Sequence, residues 1–308
     1  MKIVFLDAAT IGNVNLSGLV ALGEWVAYDL TNASEVVERC IGADAIITNK
    51  VNLMQPELEQ LPDLKLICIA ATGMNNVDRK YAAEKGIIVK NVPDYSTNSV
   101  AELTFTLALN LIHEVRYYDD FVKNGDYAKN TMFTHNGRPF FEINGKKWGI
   151  IGMGTIGNRV AGIAKAFGAE VTYFSTSGKN LDAGYPHQSL EELLAACDII
   201  SIHAPLNDAT LNLLEYEKLC LMKPSAYLIN VGRGGIVNEN DLAQVLRENR
   251  IAGAGVDVFT EEPILEVNPL LAKDIQDKLL LTPHIAWASQ DARQCLVDTI
   301  EHHIRTFF

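Results

Sequence analysis

Short apolar runs alternate with segments of helical spacing along nearly the whole chain. Residues 3–6, 45–48, 66–70 and 87–90 form apolar runs of strand length, as strands buried on both faces do. Between them, residues 33–40 and 78–85 show helical spacing. This βαβ rhythm predicts a parallel sheet covered by helices. A long apolar helix is predicted over 99–118, capped by Asn98 or Ser99, with Glu102 as the acidic partner of the cap.

Residues 123–147 break the rhythm. They are polar and aromatic, with Asn, Gly and Pro scattered among them, and predict an irregular arm or linker. A second series then begins, with strands expected over 147–151, 170–174, 199–202, 226–230, 253–258 and 279–281. Six strands with helices between them are enough for a complete dinucleotide-binding domain. Past Pro283 the chain is helical again from about Ser289. It holds no repeat of solenoid period and no low-complexity tract.

The most specific pattern lies at the start of the second series. Gly152-Met153-Gly154-Thr155-Ile156-Gly157 joins the apolar strand ending at Ile151 to a helix expected over 158–167. In such a turn one glycine permits the tight bend. Another lets a pyrophosphate approach the backbone, and the third lets helix and strand pack closely. The helix start adds unpaired N–H groups and partial positive charge, which suit phosphates. At the end of the next strand an acidic residue would bind ribose hydroxyls and repel a 2′-phosphate. This chain has Ser175, then Thr176, Ser177 and Lys179, which suit a 2′-phosphate. The cofactor is therefore NAD(H) or NADP(H), with the choice open.

Composition narrows the classes. A chain of 308 residues, 48% hydrophobic, favours two folded domains over disorder. A net charge of -12 disfavours phosphate backbones, so no nucleic-acid partner is expected. Cys40, Cys68, Cys197, Cys220 and Cys295 are odd in number and form no C-x-x-C pair. That fits scattered thiols in a reducing compartment better than a disulfide framework or a zinc site. No stretch reaches the length of a membrane span, and the first apolar run, ended by Asp7, is too short for a signal sequence. The expectation is a soluble cytoplasmic protein without a metal. His302-His303 does not alter it, because adjacent residues on a helix point about 100° apart.

Three charged residues follow the carboxyl ends of later strands, where open α/β sheets bind ligands. They are Arg233 in Asn230-Val231-Gly232-Arg233-Gly234, Glu262 before Pro263, and His284 after Pro283. Arginine matches a carboxylate with its planar fork and polarises a keto oxygen. Histidine can hand a proton to a developing alkoxide, and a glutamate beside it can orient the ring. Singly, each has a plain alternative as a surface arginine, a helix start or a turn.

Taken together, the motifs resemble the D-isomer-specific 2-hydroxyacid dehydrogenase family. The resemblance runs through His203-Ala204-Pro205-Leu206 with Thr210, Met222-Lys223-Pro224, Gly255-Val256-Asp257-Val258 and Pro283-His284-Ile285-Ala286-Trp287. In the first part it includes Ala71-Thr72-Gly73-Met74-Asn75-Asn76-Val77-Asp78, and Asn91-Val92-Pro93 with Val100-Ala101-Glu102. It implies an α/β fold of two Rossmann-like domains with parallel sheets, one flavodoxin-like and one dinucleotide-binding, facing a cleft. The cofactor domain, 99–285, would be inserted in a substrate domain made of 1–98 and 286–308. It further implies Arg233 as substrate anchor, His284 as acid/base and Glu262 as its partner, with Asp257 on the nicotinamide carboxamide. Backbone amides around Ala71, Thr72 and Gly73 would bind the substrate carboxylate, and His203, Pro205, Thr210, Val231 and Gly232 would line the cofactor.

Within the family, Thr48-Asn49-Lys50-Val51 with Gly137-Arg138-Pro139-Phe140 resembles glycerate dehydrogenases and hydroxypyruvate reductases. That places Asn49 near a small polar 2-oxo or 2-hydroxy acid, and implies a homodimer to which residues 123–147 contribute. Three departures stand out: Ser175 for the usual acidic residue, Asn238 where aspartate is common, and an end at Phe308 that suggests a longer natural protein. Lactate- or phenyllactate-type reductases and formate- or phosphite-type dehydrogenases share the fold, as do non-catalytic dinucleotide sensors.

Overall fold

The computed structural model describes residues 1–308 and divides into two compact units. The first comprises Met1–Ser96 and Trp287–Phe308, the second Thr97–Ala286. No helix is long and apolar enough to cross a membrane.

The first unit is a five-stranded parallel sheet of β1 (Lys2–Phe5), β2 (Glu24–Ala27), β3 (Ala45–Thr48), β4 (Leu66–Ile69) and β5 (Ile88–Asn91), in the order β2-β1-β3-β4-β5. Alternation along the strands sorts side chains to two faces. Val4, Leu6, Ile46, Ile67 and Ile69 pack on one side. Ile3, Phe5, Ile47 and Cys68 pack on the other, against Leu296, Val297, Ile300 and Ile304 of the helix Gln290–Phe307. That helix starts at Ser289, whose hydroxyl accepts the N–H of Ala292. Strand β2 was not foreseen: it is a half-exposed edge of four residues, Glu-Trp-Val-Ala, with too little apolar signal to stand out.

The second unit is a six-stranded parallel sheet. Its strands are β6 (Lys147–Ile151), β7 (Glu170–Phe174), β8 (Ile199–Ile202), β9 (Tyr227–Asn230), β10 (Gly253–Val256) and β11 (Leu279–Leu281). The order is β11-β10-β9-β8-β6-β7, and a lone parallel bridge from Tyr173 to His187 extends the β7 edge. Counting that bridge as a reduced strand, the order is that of a doubly wound dinucleotide-binding sheet, reversing between β6 and β8. Trp148 is fully buried at the centre, and its indole N–H donates to Ser201 Oγ at 2.9 Å.

The long helix expected over 99–118 is two helices, Thr97–Ile112 and Val115–Lys123. Glu114 between them is left-handed, with φ 52°. Its carboxylate pairs at 3.0 Å with Arg138, 24 residues on, so a distant contact accompanies the break. The arm is organised by rings: Phe121 stacks on His135 at 3.8 Å, and Arg138 lies 4.5 Å over Tyr117. Phe167, at the end of the glycine-turn helix, is exposed and stacks on Phe105.

Candidate active site

The glycine-rich turn leaves β6 and opens the helix Thr155–Ala166, with Gly154 as its N-cap. Two of the three glycines are required by backbone close by, and the third borders open space. Gly152 has φ 94°, and a Cβ there would lie 2.8 Å from the backbone N of Ala204. A Cβ on Gly157 would lie 2.2 Å from Gly152 O. Gly154 has nothing within 4 Å, so the middle of the turn opens on free space beside the first-turn amides of Thr155 and Ile156. That is the cradle a pyrophosphate needs and a side chain would fill.

Beyond β7, Ser175 is buried, Thr176 half-buried and Lys179 exposed. This loop folds back on the turn through Asn180, whose Nδ2 donates to Met153 O at 3.0 Å. No carboxylate stands in the stretch 175–180.

After β8, Pro205 is exposed, while the side chains of two neighbours turn inward. The His203 ring is buried, although the residue as a whole is partly exposed; Nε2 shares a 3.0 Å hydrogen bond with Ser201 Oγ. Burial pushes this imidazole down to about 3, so it stays neutral. Thr210 is fully buried: its hydroxyl donates to Pro205 O at 2.7 Å and accepts the N–H of Asn207 at 2.8 Å. The hydroxyl of Thr210 thus braces the loop from within, while the His203 ring rests against β8 through Ser201.

The three charged candidates leave the carboxyl ends of adjacent strands β9, β10 and β11. After β9, Val231 and Gly232 are buried, and the N–H of Gly232 donates to Asn230 Oδ1 at 3.1 Å. Arg233 next to them is exposed, and its guanidinium donates to Gly232 O at 2.7 Å. The loop packs tightly against the one that carries Glu262, since a Cβ on Gly234 would lie 1.8 Å from Phe259 O. Glu262 accepts the N–H of Phe259 at 2.9 Å on Oε1 and meets His284 Nδ1 at 2.7 Å on Oε2. With Nδ1 so engaged, Nε2 is the ring atom left for proton transfer. Glu239, which the sequence did not single out, supports this loop by accepting the N–H of Thr260 at 2.6 Å.

His284 sits on a left-handed turn, φ 53°, a conformation that costs a non-glycine residue about 1–3 kcal/mol unless its surroundings impose it. Asp257 imposes it. Its carbonyl accepts the N–H of His284 at 2.8 Å. Its carboxylate accepts Thr282 Oγ1 at 2.5 Å, Ile285 N at 2.9 Å and Ala286 N at 2.8 Å. Asp257 is fully buried, and burial raises its pKa against those donors. The geometry shows Asp257 holding the turn that presents His284.

In the first unit, Ala71 is half-buried, while Thr72 and Gly73 are exposed on the turn after β4. Thr72 is fixed by its own hydroxyl, which donates to Val92 O at 3.1 Å, and by Asn91 Nδ2, which donates to Thr72 O at 2.7 Å. Asn49, expected near the substrate, is 5% exposed, and its backbone N–H donates to the carboxylate of Asp7. The roles of Asp7, Thr10 and Asn76 around it were missed: Asp7 and Thr10 lie 42 and 39 positions before Asn49 and Asn76 lies 27 after it, and the fold gathers them.

Residues 105–286 match the family model for the D-isomer specific 2-hydroxyacid dehydrogenase NAD binding domain. The chain is 36% identical to a hydroxypyruvate reductase of Blautia hydrogenotrophica, over 100% of this chain and 97% of that protein. It is 38% identical to a glycerate dehydrogenase of Methylorubrum extorquens, over 99% and 96%. A crystal structure of an NADPH-dependent glyoxylate/hydroxypyruvate reductase from Sinorhizobium meliloti, in complex with NADP and malonate, is also similar. Its TM-score is 0.83 at 27% identity, covering 100% of this chain and 93% of that one. With the doubly wound sheet, the open glycine turn and the Glu262–His284 pair, these matches establish that the chain belongs to the D-isomer specific 2-hydroxyacid dehydrogenases, NAD(P)-dependent oxidoreductases that act on CH–OH groups.

Proposed function

We propose that this dehydrogenase reversibly reduces small 2-oxo acids of the hydroxypyruvate and glyoxylate kind to the corresponding 2-hydroxy acids, in the D configuration where C2 is a stereocentre. The observation that carries this reading is the 2.7 Å bond between His284 Nδ1 and Glu262 Oε2, on loops adjacent to that of Arg233. The dinucleotide, when bound, supplies the hydride for C2 or accepts it in the reverse direction. His284 Nε2 gives a proton to the C2 oxygen during reduction and takes it back during oxidation. Glu262 keeps the ring in the orientation that frees Nε2. Arg233 fastens the substrate carboxylate and polarises the keto oxygen.

Formate-type chemistry ends in carbon dioxide, generates no alkoxide and has no use for this proton donor. A dinucleotide sensor has no use for the charged triad. A panel of hydroxypyruvate, glyoxylate, pyruvate and phenylpyruvate, each with NADH and NADPH, tests the reading. The highest kcat/KM is expected with hydroxypyruvate or glyoxylate. Oxidation of neither cofactor by any of the four would refute an enzymatic role. The hydroxyls of Ser175 and Thr176 and the charge of Lys179 favour acceptance of NADPH. A preference for NADH above about a hundredfold would refute that part, since a repelled 2′-phosphate costs roughly that much.

We also infer a homodimer to which the segment 123–147 contributes, together with Val122 just before it. Phe133 is 92% exposed, Met132 62%, Phe140 57% and Val122 56%. So many large apolar side chains on one short segment mark a protein–protein surface. Light scattering after size exclusion is expected to give twice the chain mass, and Phe133→Asp to lower it. A monomer for the unaltered protein would refute the inference.

A further inference from the structure

In a parallel sheet of the order found in the first unit, ligands settle where the order reverses, outside the carboxyl ends of β1 and β3. Here the protein's own carboxylate fills that place. Asp7, 2% exposed, accepts the N–H of Asn49 at 2.9 and 3.1 Å, of Lys50 at 2.6 Å and of Val51 at 3.3 Å. Three consecutive amides around one anion form a nest and set the course of the turn. Burial raises the Asp7 pKa, opposed by those same amides.

The main-chain carbonyl of Asp7 also bears on the side chain of Asn49, through Thr10. The hydroxyl of Thr10 donates to Asp7 O at 2.6 Å, which spends its single proton. Towards Asn49 it can then only accept, so the atom 3.0 Å away is Nδ2, the donor of that amide. Turning the amide over would set Oδ1 against the lone pairs of Thr10. Oδ1 is thus directed away from Thr10, and it is the one hydrogen-bonding atom of the Asn49 side chain with no partner in the protein. From the other side, Asn76 Nδ2 donates to Val51 O at 3.1 Å and ties this turn to the segment that follows Ala71–Gly73.

We propose that Asn49 Oδ1 is the acceptor for a hydroxyl on C3 of the substrate, and that Thr10 and Asp7 are the positioning residues that fix its direction. The acid so selected is a 3-hydroxy-2-oxo acid, and its unsubstituted analogue is discriminated against by the missing bond. This assignment rests on reading Asn49 as a substrate residue, and the experiment separates the two. It compares kcat/KM for hydroxypyruvate with kcat/KM for pyruvate, which differ only in that hydroxyl. Asn49→Ala is expected to lower the ratio about tenfold or more. Thr10→Val, nearly isosteric, frees the amide to turn and is expected to lower it about fivefold, while Thr10→Ser, which keeps the oxygen, stays within about twofold. Asp7→Asn sets a donor against the nest and is expected to move the ratio in the same direction as Thr10→Val. It is assayed at a temperature where thermal melting shows it folded. An unmoved ratio in Asn49→Ala would overturn the substrate reading of Asn49. A lowered ratio there, with equal losses for both acids in Thr10→Val, would leave that reading standing and overturn the positioning role.

Discussion

His284→Ala is expected to lower kcat for hydroxypyruvate reduction by about 10²–10⁴, the usual contribution of a positioned proton donor. The substrate KM should change far less, because His284 Nε2 acts on the oxygen as charge develops there. Glu262→Gln should give a smaller loss in the same direction. Its amide preserves the shape of the side chain, but flipping it to accept from His284 Nδ1 puts its NH₂ where Oε1 now meets Phe259 N–H. Steady-state kinetics at neutral pH checks both, with cofactor binding followed separately by fluorescence. A near-normal kcat for His284→Ala would remove the histidine from the chemistry and leave its left-handed turn without a functional reason.

The second large effect is expected at Arg233. Arg233→Ala should raise the KM for the oxo acid and lower kcat together, because the fork grips the carboxylate in the ground state and the keto oxygen in the transition state. Arg233→Lys should recover little, since an ammonium offers a point charge in place of a bidentate plane. The structure supports this use: the exposed guanidinium makes its hydrogen bond to Gly232 O and is paired with no carboxylate. An unchanged KM in Arg233→Ala would count against the anchoring role.

Most of the second unit was legible because its signals are local. Four of its six strands, β6, β7, β8 and β11, run over the residues expected, since each is a short apolar run bounded by turns. The glycine turn was legible for the same reason: its conformation is set by neighbours a few residues away, and only glycine tolerates φ 94° between two backbones. Where the reading failed, a distant contact had decided. The helix expected over 99–118 breaks at Glu114, which is paired with Arg138, and β2 exists because β1 offers it an edge.

By itself, then, the sequence determined the two parallel α/β units, the dinucleotide turn at Gly152–Gly157 and the identity of the residues able to do the chemistry. Periodicity, glycine placement and residue type are written in consecutive positions, and these features depend on little else. Only the tertiary structure decided which of those residues meet. Glu262 and His284 are 22 positions apart and come within 2.7 Å because β10 and β11 are neighbours. Asp7 and Asn49 are 42 apart and come within 2.9 Å because β1 lies beside β3. A parallel sheet brings its carboxyl ends to one edge whatever the length of chain between them, so the partners at that edge follow from strand order.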